Sequence, residues 1–556
     1  MDVSVRIREV LARALQGLGM EVSAADIPLE FPADIAHGDY ATGVALSKAK
    51  QMGMSPRALA EKLVEAMGEI EGVEKISIAG PGFINFTLTP QAIATVTSAA
   101  RTSQWGAESA LNGRTIMVEY TQPNPFKPFH IGHLMSNAIG ESVSRLLENA
   151  GAKVIRANYQ GDVGPHVAKC LWGVRKLGAD VHDADELGRA YVYGSSHYEE
   201  DSAAKAEIDA LNKTIYAHSD PVIDKLYEAG RTASLQHFEV LYKILGTEFD
   251  HYFFESETAP KGEAIVRAHP EVFVESDGAL VFKGEEHGLH TRVFITSHGT
   301  PTYETKEIGL ETLKEELYPQ ADTFVVDTAV EQKEYFAVVK TALGLIAPEI
   351  AKKLVHITHG MMRFASGKMS SRKGNVITGE SLLTSLIEVA SERAKDSRAE
   401  NPQALAQAVA VAGIKFQILR GAAGKDIVYD EDRALSLEGD SGPYLQYAYA
   451  RTQAIAEKAK ATGITPLADT AAIPNDVARL LVRFPTIAER SAREYAPHHV
   501  TQYLIELAGA FNSWYAQEHI LDGTPAAAHK VALTAAVGNT LKHGLWLLGI
   551  PAPEQM

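Results

Sequence analysis

Residues 1–95 carry two helical patterns followed by a strand pattern. Near the start of the chain, apolar side chains recur at helical spacing, at Val3, Ile7, Val10, Leu11, Ala14 and Leu18. A second helix is predicted to begin at Ser55-Pro56, because serine is a good N-cap and proline fits the first helical position. Residues 83–88 alternate as a strand does. This segment is therefore predicted to be a small α/β domain.

The pattern changes after Arg114. Residues 116–120 form an apolar run that predicts a buried strand, whereas residues 121–129 contain three prolines and cannot be regular structure. A helix with one apolar face follows and is stopped by Gly151, and residues 154–159 predict the next strand. This β-α-β order implies a parallel sheet with a ligand crevice at the carboxyl ends of its strands.

The rest of the chain divides by polarity and period. The α/β core is predicted to span residues 110–345, with a more polar insertion at about 180–290. Returning strands are predicted at 324–327 and 354–357, the latter at the start of a connecting region, 346–435. Residues 436–556 read as helices alone.

Composition narrows the class of protein. The 556 residues are 46% hydrophobic and 22% charged, which is ordinary for a globular protein of several domains. The chain lacks a long apolar run and a secretion signal at its start, so we expect a cytoplasmic protein without a membrane partner. The one cysteine, Cys170, rules out an internal disulfide and a cysteine-built zinc site. A net charge of −17 argues against a general nucleic-acid binder, although it allows a local basic surface.

Two short segments carry phosphate chemistry. His130 and His133 stand three residues apart where the loop becomes a helix, so both imidazoles lie at a positive helix end that suits a polyphosphate. Gly132 between them lets a flat base approach the backbone. Residues 367–375 place three cations and two hydroxyls on a glycine-flanked loop that could wrap phosphates. Alone, each segment could equally be surface histidines or a solvated basic loop; together they favour a nucleotide site.

The pair resembles the HIGH and KMSKS signatures of class I aminoacyl-tRNA synthetases, the second present as Lys368-Met369-Ser370-Ser371-Arg372. Further blocks resemble the arginyl-tRNA synthetases over essentially the whole chain. They are Gly38-Asp39-Tyr40-Ala41-Thr42, Gly82 to Phe86, Val118 to Asn124, Asn158 to Asp162, Gly299 to Tyr303, Gly442 to Tyr447 and Leu547 to Ile550. The resemblance implies a Rossmann-type α/β catalytic core with a parallel sheet, a small α/β N-terminal domain and an all-α anticodon-binding domain. It also implies that residues 346–435 carry the signature loop and contact the tRNA stem.

The implied reaction joins L-arginine to tRNA(Arg) through an arginyl-adenylate, with ATP and Mg²⁺ as the substrate complex and no protein-bound structural metal. A monomer is expected. The implied catalytic residues are His130, His133, Lys127 and Lys368. The implied ATP-binding residues are Gly132, Gly360, Met361, Met362, Lys368, Met369, Ser370 and Ser371. For tRNA, the candidates are Tyr444, Tyr447 and Trp514. A separate possibility is that Arg479, Arg483, Arg490 and Arg493 form a phosphate-facing stripe or a solvated face.

The arginine site can also be argued from chemistry. A guanidinium is planar, permanently charged and has five donors, so its site needs a carboxylate and further acceptors. The resemblance implies Asn124, Asn158, Tyr303, Glu307 and Gln332 around the amino acid, with Glu307 as the carboxylate. Glu119 is a second acidic candidate for which a structural role is equally open.

Three departures from the family pattern bear on detail. Glu307 stands where an aspartate is usual, Val163 stands where a tryptophan is usual, and both Lys127 and Lys368 are present. Lys127 is therefore predicted to be partly redundant. The alternatives are a synthetase for cysteine, glutamate or lysine, an inactive synthetase-like binding protein, and a small-molecule adenylyltransferase. The single cysteine disfavours the cysteine enzyme, and the N-terminal blocks disfavour the glutamate and lysine enzymes. The intact signatures disfavour an inactive binding protein, and the helical tail disfavours a small-molecule adenylyltransferase.

Overall fold

The structure, a computed structural model, describes residues 3–32, 34–364, 378–395, 397, 399–422, 424–468, 472 and 474–556. The predicted second-signature residues Lys368, Met369, Ser370 and Ser371 lie outside these ranges.

The N-terminal domain is a three-stranded antiparallel sheet covered by helices. Its strands are ordered β1-β3-β2. The helix predicted at Ser55-Pro56 is confirmed, since the Ser55 hydroxyl accepts a hydrogen bond from the Ala58 amide at 3.2 Å. The elements in chain order are α1 (Val3–Gly17), β1 (Tyr40–Thr42), α2 (Val44–Lys48), α3 (Pro56–Met67), β2 (Val73–Ala79), β3 (Phe83–Leu88) and α4 (Pro90–Ala99).

The catalytic core is built on five parallel strands, as the β-α-β pattern predicted. Their order across the sheet is β11-β10-β4-β5-β6. The strands are β4 (Thr115–Glu119), β5 (Lys153–Gln160), β6 (His251–Phe254), β10 (Thr323–Ala329) and β11 (Leu354–His359). Helix α5 (Ile131–Asn149) follows β4 and packs tightly on it, since a side chain at Gly140 would overlap the Tyr120 ring. The carboxyl ends of β4, β5 and β10 therefore meet beside the start of α5.

Helices and a small sheet fill the segment predicted as an insertion. The helices are α6 (Pro165–Leu177), α7 (Ala184–Glu200), α8 (Ser202–Ala217), α9 (Pro221–Leu245) and α10 (Glu255–Ala268). An antiparallel sheet follows, made of β7 (Phe273–Ser276), β8 (Ala279–Phe282) and β9 (Arg292–Ile295). Strand β6, although inside this segment, is the edge strand of the main sheet. The chain returns to that sheet through α11 (Tyr303–Leu317), α12 (Lys333–Ile346) and α13 (Pro348–Lys353).

The remaining described residues are mainly helical, as predicted. A short parallel pair, β12 (Met362–Phe364) with β13 (Ile427–Tyr429), adjoins the core. The helices are α14 (Gly379–Ala394), α15 (Pro402–Leu419), α16 (Glu431–Ala434), α17 (Gly442–Ala461), α18 (Asp476–Leu481), α19 (Phe484–Arg493), α20 (His498–Gln517) and α21 (Ala527–Leu547).

The last helix is fastened to α5 by hydrogen bonds to carbonyl groups at its C-terminal end. Ser142 donates to the Leu547 carbonyl at 2.8 Å, and Arg145 donates to the Trp546 carbonyl at 3.1 Å. From α15, the buried Lys415 ammonium donates to the Gly549 carbonyl at 2.9 Å. Because a helix end leaves its final carbonyls without partners, these donors fix α21 on the helix that carries both histidines.

Two of the four arginines considered as a phosphate-facing stripe join domains instead. Arg479 lies 2.6 Å from the buried carboxylate of Asp39 in the N-terminal domain. Arg483 is buried and contacts Glu506 at 3.0 Å and the Pro32 carbonyl. Arg490 and Arg493 remain on the surface, where they pair with nearby glutamates. The stripe is therefore not a continuous basic surface.

Candidate active site

The loop between β4 and α5 has a strained backbone. Three residues that are not glycine have positive φ angles: Thr121 at 78°, Gln122 at 51° and Phe126 at 67°. Such angles are uncommon for side chains of this size and persist only where the surroundings enforce them. The Ser136 hydroxyl of α5 accepts a hydrogen bond from the Thr121 amide at 3.0 Å, and the Ser234 hydroxyl of α9 accepts one from the Phe126 amide at 3.0 Å. The loop is thus held in one shape over the end of the sheet.

His130 and His133 together cap the start of α5. His130 is the N-cap, and its Nδ1 accepts from the Gly132 amide at 3.1 Å, while His133 Nδ1 accepts from the His130 amide at 3.2 Å. Since Nδ1 of each ring is an acceptor, the proton of each neutral imidazole resides on Nε2. The two rings stack with centroids 3.4 Å apart. Each histidine therefore offers one Nε2–H donor.

The pKa values of this group favour neutral imidazoles. Burial lowers the pKa of His130, and it lowers that of His133 well below its usual range; the nearby Lys127 adds to both effects. The pKa of Lys127 is itself lowered, first by burial, while Glu255 opposes the change. This end of α5 therefore combines two neutral donors, a partly buried ammonium and the positive end of the helix dipole. Such a site suits a polyphosphate, which supplies the negative charge that these groups lack.

The segment predicted to read adenine follows β11. A side chain at Gly360 would lie 2.2 Å from the Lys425 carbonyl, so only glycine fits there. The Met361 amide donates to Asp426 at 3.0 Å, and its carbonyl accepts from the Ile427 amide at 2.8 Å. Because both backbone groups of Met361 are occupied, its exposed side chain is the part available to cover a base. Met362 begins β12 and is half-buried.

The candidate arginine residues come from four places around the end of the sheet. Asn158 is fully buried on β5, where its Nδ2 donates to the Tyr242 hydroxyl at 3.0 Å and its Oδ1 has no partner among the described residues. Asn124 accepts from the Gly161 amide at 3.1 Å. Tyr303 begins α11 with 67% of its surface exposed, and Gln332 lies exposed in the turn after β10. The structure brings Asn124 to the carboxyl end of β5, the strand that carries Asn158, and leaves Tyr303 and Gln332 at the rim.

Glu307 and Glu119 place two carboxylates deep in the same region. Glu307 is 5% exposed, its Oε2 accepts from the Tyr335 hydroxyl at 3.4 Å, and its Oε1 is buried without a partner among the described residues. Glu119 ends β4, is 1% exposed and accepts from Gln122 at 2.7 Å. Burial, and then the charge of Glu119, raise the pKa of Glu307 well above its usual range.

Two further charged residues of this cluster were missed from the sequence. Glu311 and Lys314 are both fully buried on α11. The Lys314 ammonium lies 2.6 Å from Glu119 and 2.5 Å from Glu311. The spacing of Glu307, Glu311 and Lys314 places them on one helix face, and that is the signal that could have found them. The packing of α11 on α10 is close, since a side chain at Gly309 would lie 2.1 Å from the Thr258 carbonyl.

Asp327 is another buried carboxylate that sequence reasoning placed only within a strand. It is fully buried near the end of β10, and neither of its carboxylate oxygens has a partner among the described residues. It borders a cavity of about 30 Å³ that His359 and Gly360 also line. Burial raises the pKa of Asp327 to about 6, while the nearby His359 opposes the shift.

Replacing Asp327 with asparagine is expected to stabilise the protein at neutral pH. Because the folded-state pKa lies above the unfolded value of 3.8, this carboxyl costs stability progressively as the pH rises through 4 to 6, by up to about 3 kcal/mol. Asp327→Asn should therefore raise the unfolding free energy by about 1–3 kcal/mol near pH 7.5 and give no gain near pH 4. Urea unfolding at both pH values measures it.

The control for that experiment is Asp322→Asn, just before β10. The Asp322 pKa is lowered by the Thr115 amide that donates to it, so this variant should lose stability at neutral pH. A loss of stability in Asp327→Asn at neutral pH would contradict the conclusion that the buried Asp327 carboxylate destabilises the protein when it is ionised.

In the helical domain, two exposed aromatic rings flank an arginine. The Arg451 guanidinium lies 4.8 Å from the centre of the Tyr447 ring and 4.9 Å from that of Tyr515. Tyr444, by contrast, is half-buried and accepts from Asn512, and Trp514 is half-buried against Phe511. Of the three residues predicted to contact tRNA, Tyr447 is the one with an exposed stacking face.

The described ranges hold neither a metal-binding cluster nor a membrane-spanning helix. Among these residues, no group of three or more histidine, cysteine, aspartate or glutamate side chains is arranged to hold a metal ion. None of the helices in the described part of the chain is long and apolar enough to cross a membrane.

Comparison with known proteins agrees with this architecture. Residues 95–430 match the family described as "tRNA synthetases class I (R), catalytic domain", residues 5–88 match "Arginyl tRNA synthetase N terminal domain" and residues 445–556 match "DALR anticodon binding domain". The arginine–tRNA ligase of Lactococcus lactis is 30% identical over 100% of both chains, and that of Streptococcus pneumoniae is 31% identical over 95% of both. The solved arginyl-tRNA synthetase of Thermus thermophilus matches with a TM-score of 0.84 at 27% identity, covering 99% of each chain. The chain belongs to the arginyl-tRNA synthetase family.

Proposed function

We propose that this enzyme ligates L-arginine to tRNA(Arg) through an arginyl-adenylate, releasing pyrophosphate and AMP. The observation that carries the proposal is the buried Glu307 oxygen that has no partner among the described residues, beside Glu119 and at the same end of the sheet as the two histidine donors. Two carboxylates suit a guanidinium, which presents a planar fork of donors, better than the single point charge of lysine.

The remaining residues of the amino-acid site would hold the other end of arginine. Asn158 offers a buried acceptor, Oδ1, that has no partner among the described residues. Asn124 lies on the strained loop that leads to the histidines, and Gln332 lies at the end of β10. The exposed Tyr303 ring stands at the mouth of the site, where it would cover the bound substrate. Together these groups would place the arginine carboxylate next to the phosphate site.

In the first step, a carboxylate oxygen of arginine attacks the α-phosphorus of ATP while the bond to the pyrophosphate leaving group breaks. No side-chain nucleophile is required, so positioning and charge stabilisation do the work. The Nε2–H groups of His130 and His133 would donate to the phosphates, with Gly132 leaving room for the adenine and Gly360 to Met362 covering it. Mg²⁺ would enter with ATP, which needs no protein cage. In the second step, the terminal ribose hydroxyl of tRNA takes the arginyl group and AMP leaves.

Lys127 and Lys368 are proposed to share the stabilisation of the phosphates, with Met369, Ser370 and Ser371 beside Lys368. Because the pKa of Lys127 is lowered by burial, the ammonium is less firmly charged than that of an exposed lysine. Lys127→Ala should therefore reduce the adenylation rate less than Lys368→Ala does. Single-turnover formation of arginyl-adenylate in both variants measures this difference. Equal and large losses of the adenylation rate in the two variants would contradict partial redundancy.

The helical domain is proposed to bind the anticodon of tRNA(Arg). Tyr447, held by Arg451 against Tyr515, provides a charged stacking surface for an unpaired base, and Tyr444 and Trp514 lie in the helices beside it. The enzyme is proposed to be a monomer. We place the enzyme in the cytoplasm, where the free thiol of the buried Cys170 would remain reduced.

Charging of total tRNA with labelled amino acids tests the proposed function. Labelled arginine should become attached to tRNA in an ATP-dependent reaction, and labelled lysine and glutamine should not. Charging with lysine in preference to arginine would overturn the assignment of the substrate.

A further inference from the structure

The charged groups at the base of the proposed arginine site do not balance. Three buried carboxylates, Glu119, Glu307 and Glu311, face one buried ammonium, Lys314. One oxygen of Glu307 and one of Glu311 have no hydrogen-bond partner among the described residues, whereas Oε2 of Glu119 lies 2.6 Å from the Lys314 ammonium. Ionised carboxylates are costly to bury without compensation, so a fully ionised cluster would carry two uncompensated negative charges.

We propose that this cluster exchanges a proton for the guanidinium of arginine, and that Lys314 and Glu311 are positioning residues that set this exchange. The inference rests on the proposed function, because it takes arginine as the ligand of Glu119 and Glu307. In the free enzyme, the shared proton keeps the carboxylates close together without excessive repulsion. When the guanidinium arrives, it supplies the positive charge, and the proton leaves to solvent.

Among the described residues, the nearest further charges are those of the Glu255–Lys306 ion pair, joined at 2.6 Å, and two buried phenols line the cluster itself. From β5, Tyr159 faces Glu307 and Glu119, and from α12, Tyr335 faces Glu307; burial raises the pKa of both phenols well above 10. Gln122 from the loop after β4 is neutral and donates to Glu119. The pKa of Lys314 is raised by Glu119 and Glu311, so it stays charged.

The direction of the pKa shifts agrees with the geometry. Burial and neighbouring carboxylates raise the pKa of Glu307 well above its usual range, and burial also raises that of Glu311. Because Glu307 and Glu311 lie one turn apart on the same face of α11, the proton belongs to the pair. Lys314 holds Glu119 and Glu311 on its two sides, which leaves Glu307 as the carboxylate of the cluster without an ion-pair partner among the described residues.

Isothermal titration of the full chain with L-arginine tests the proposal. The titration is made in buffers of different ionisation enthalpy, at about pH 6.5 and about pH 8. At the lower pH we expect release of about one proton per arginine bound, and an affinity that rises with pH by up to roughly tenfold per unit. Arginine binding with no proton release and no pH dependence would overturn the proposal. No arginine binding at either pH, together with no charging of tRNA, would instead overturn the proposed function.

Two variants separate this role from simple packing. Glu311→Gln removes one surplus carboxylate and should retain arginine binding while markedly reducing both the proton release and its pH dependence. Lys314→Met should weaken arginine binding and raise the KM for arginine, with recovery as the pH rises and an unchanged KM for ATP. Lys314→Arg should restore the wild-type pH profile. If Lys314→Met does not fold, Glu311→Gln still decides the matter: proton release equal to that of the wild type would contradict the role of Glu311.

Discussion

Glu307→Gln is expected to reduce kcat/KM for arginine by about 10²- to 10³-fold, while the KM for ATP stays near its wild-type value. The reason is that a guanidinium placed against a neutral amide loses its charge partner in a buried site, which costs about 3–5 kcal/mol. The variant should fold normally, because glutamine resembles the protonated carboxyl that the raised pKa of Glu307 favours in the free enzyme. Steady-state aminoacylation at several arginine and ATP concentrations measures both constants.

Two matched variants support the reading of that result. Glu307→Asp keeps the charge and withdraws it by about one bond, so its loss should be smaller than that of Glu307→Gln. Glu315→Gln, on the same helix, removes a partly exposed carboxylate that pairs with Lys353, and arginine kinetics should not change. A Glu307→Gln enzyme with a normal KM and kcat for arginine would exclude Glu307 from the substrate site.

His130→Ala is expected to slow arginyl-adenylate formation by roughly 10²- to 10³-fold, the effect of removing one preorganised donor from a developing negative charge. It should also destabilise the protein by about 1 kcal/mol, because the His130 ring caps α5. Rapid-quench measurement of adenylate formation and thermal unfolding report these two effects separately.

His130→Asn is the control that separates capping from catalysis. Asparagine is a good N-cap, so this variant should regain the lost stability, yet its shorter side chain cannot place a donor where His130 Nε2–H lies. A rate restored to the wild-type level by asparagine would show that His130 acts only as a cap.

The fold was predictable because its elements are encoded locally. The buried strand at 116–120, the proline-rich loop and the apolar face of α5 specify a β-α-β unit, and all five strands of the main sheet proved parallel. Strand β6 was harder to see, since four residues inside a polar, helical segment give too short a pattern. The arginine stripe failed for another reason: periodicity places Arg479 and Arg483 on one helix face, but α18 ends at Leu481, before Arg483. Periodicity also does not reveal that Arg479 pairs with Asp39, some 440 residues earlier.

The candidate site was predictable where motifs mark it and not where packing creates it. His130 and His133 follow from their spacing, but their tautomers depend on which backbone amides each ring meets. Glu311 and Lys314 look like ordinary helix charges in the sequence, because the number of charges in a helix does not show which of them are buried. The surroundings of Asp327 could not be predicted either, because only the folded sheet brings this carboxylate against His359 and the cavity.

The two histidine donors and the buried carboxylates are proposed to form one site that activates arginine. ATP–pyrophosphate exchange, measured with each of the amino acids in turn and with and without tRNA, tests whether they do. Exchange should depend on arginine and on no other amino acid, and it should fall sharply in both Glu307→Gln and His130→Ala. An absence of arginine-dependent exchange in the wild-type enzyme under both conditions would contradict this proposal.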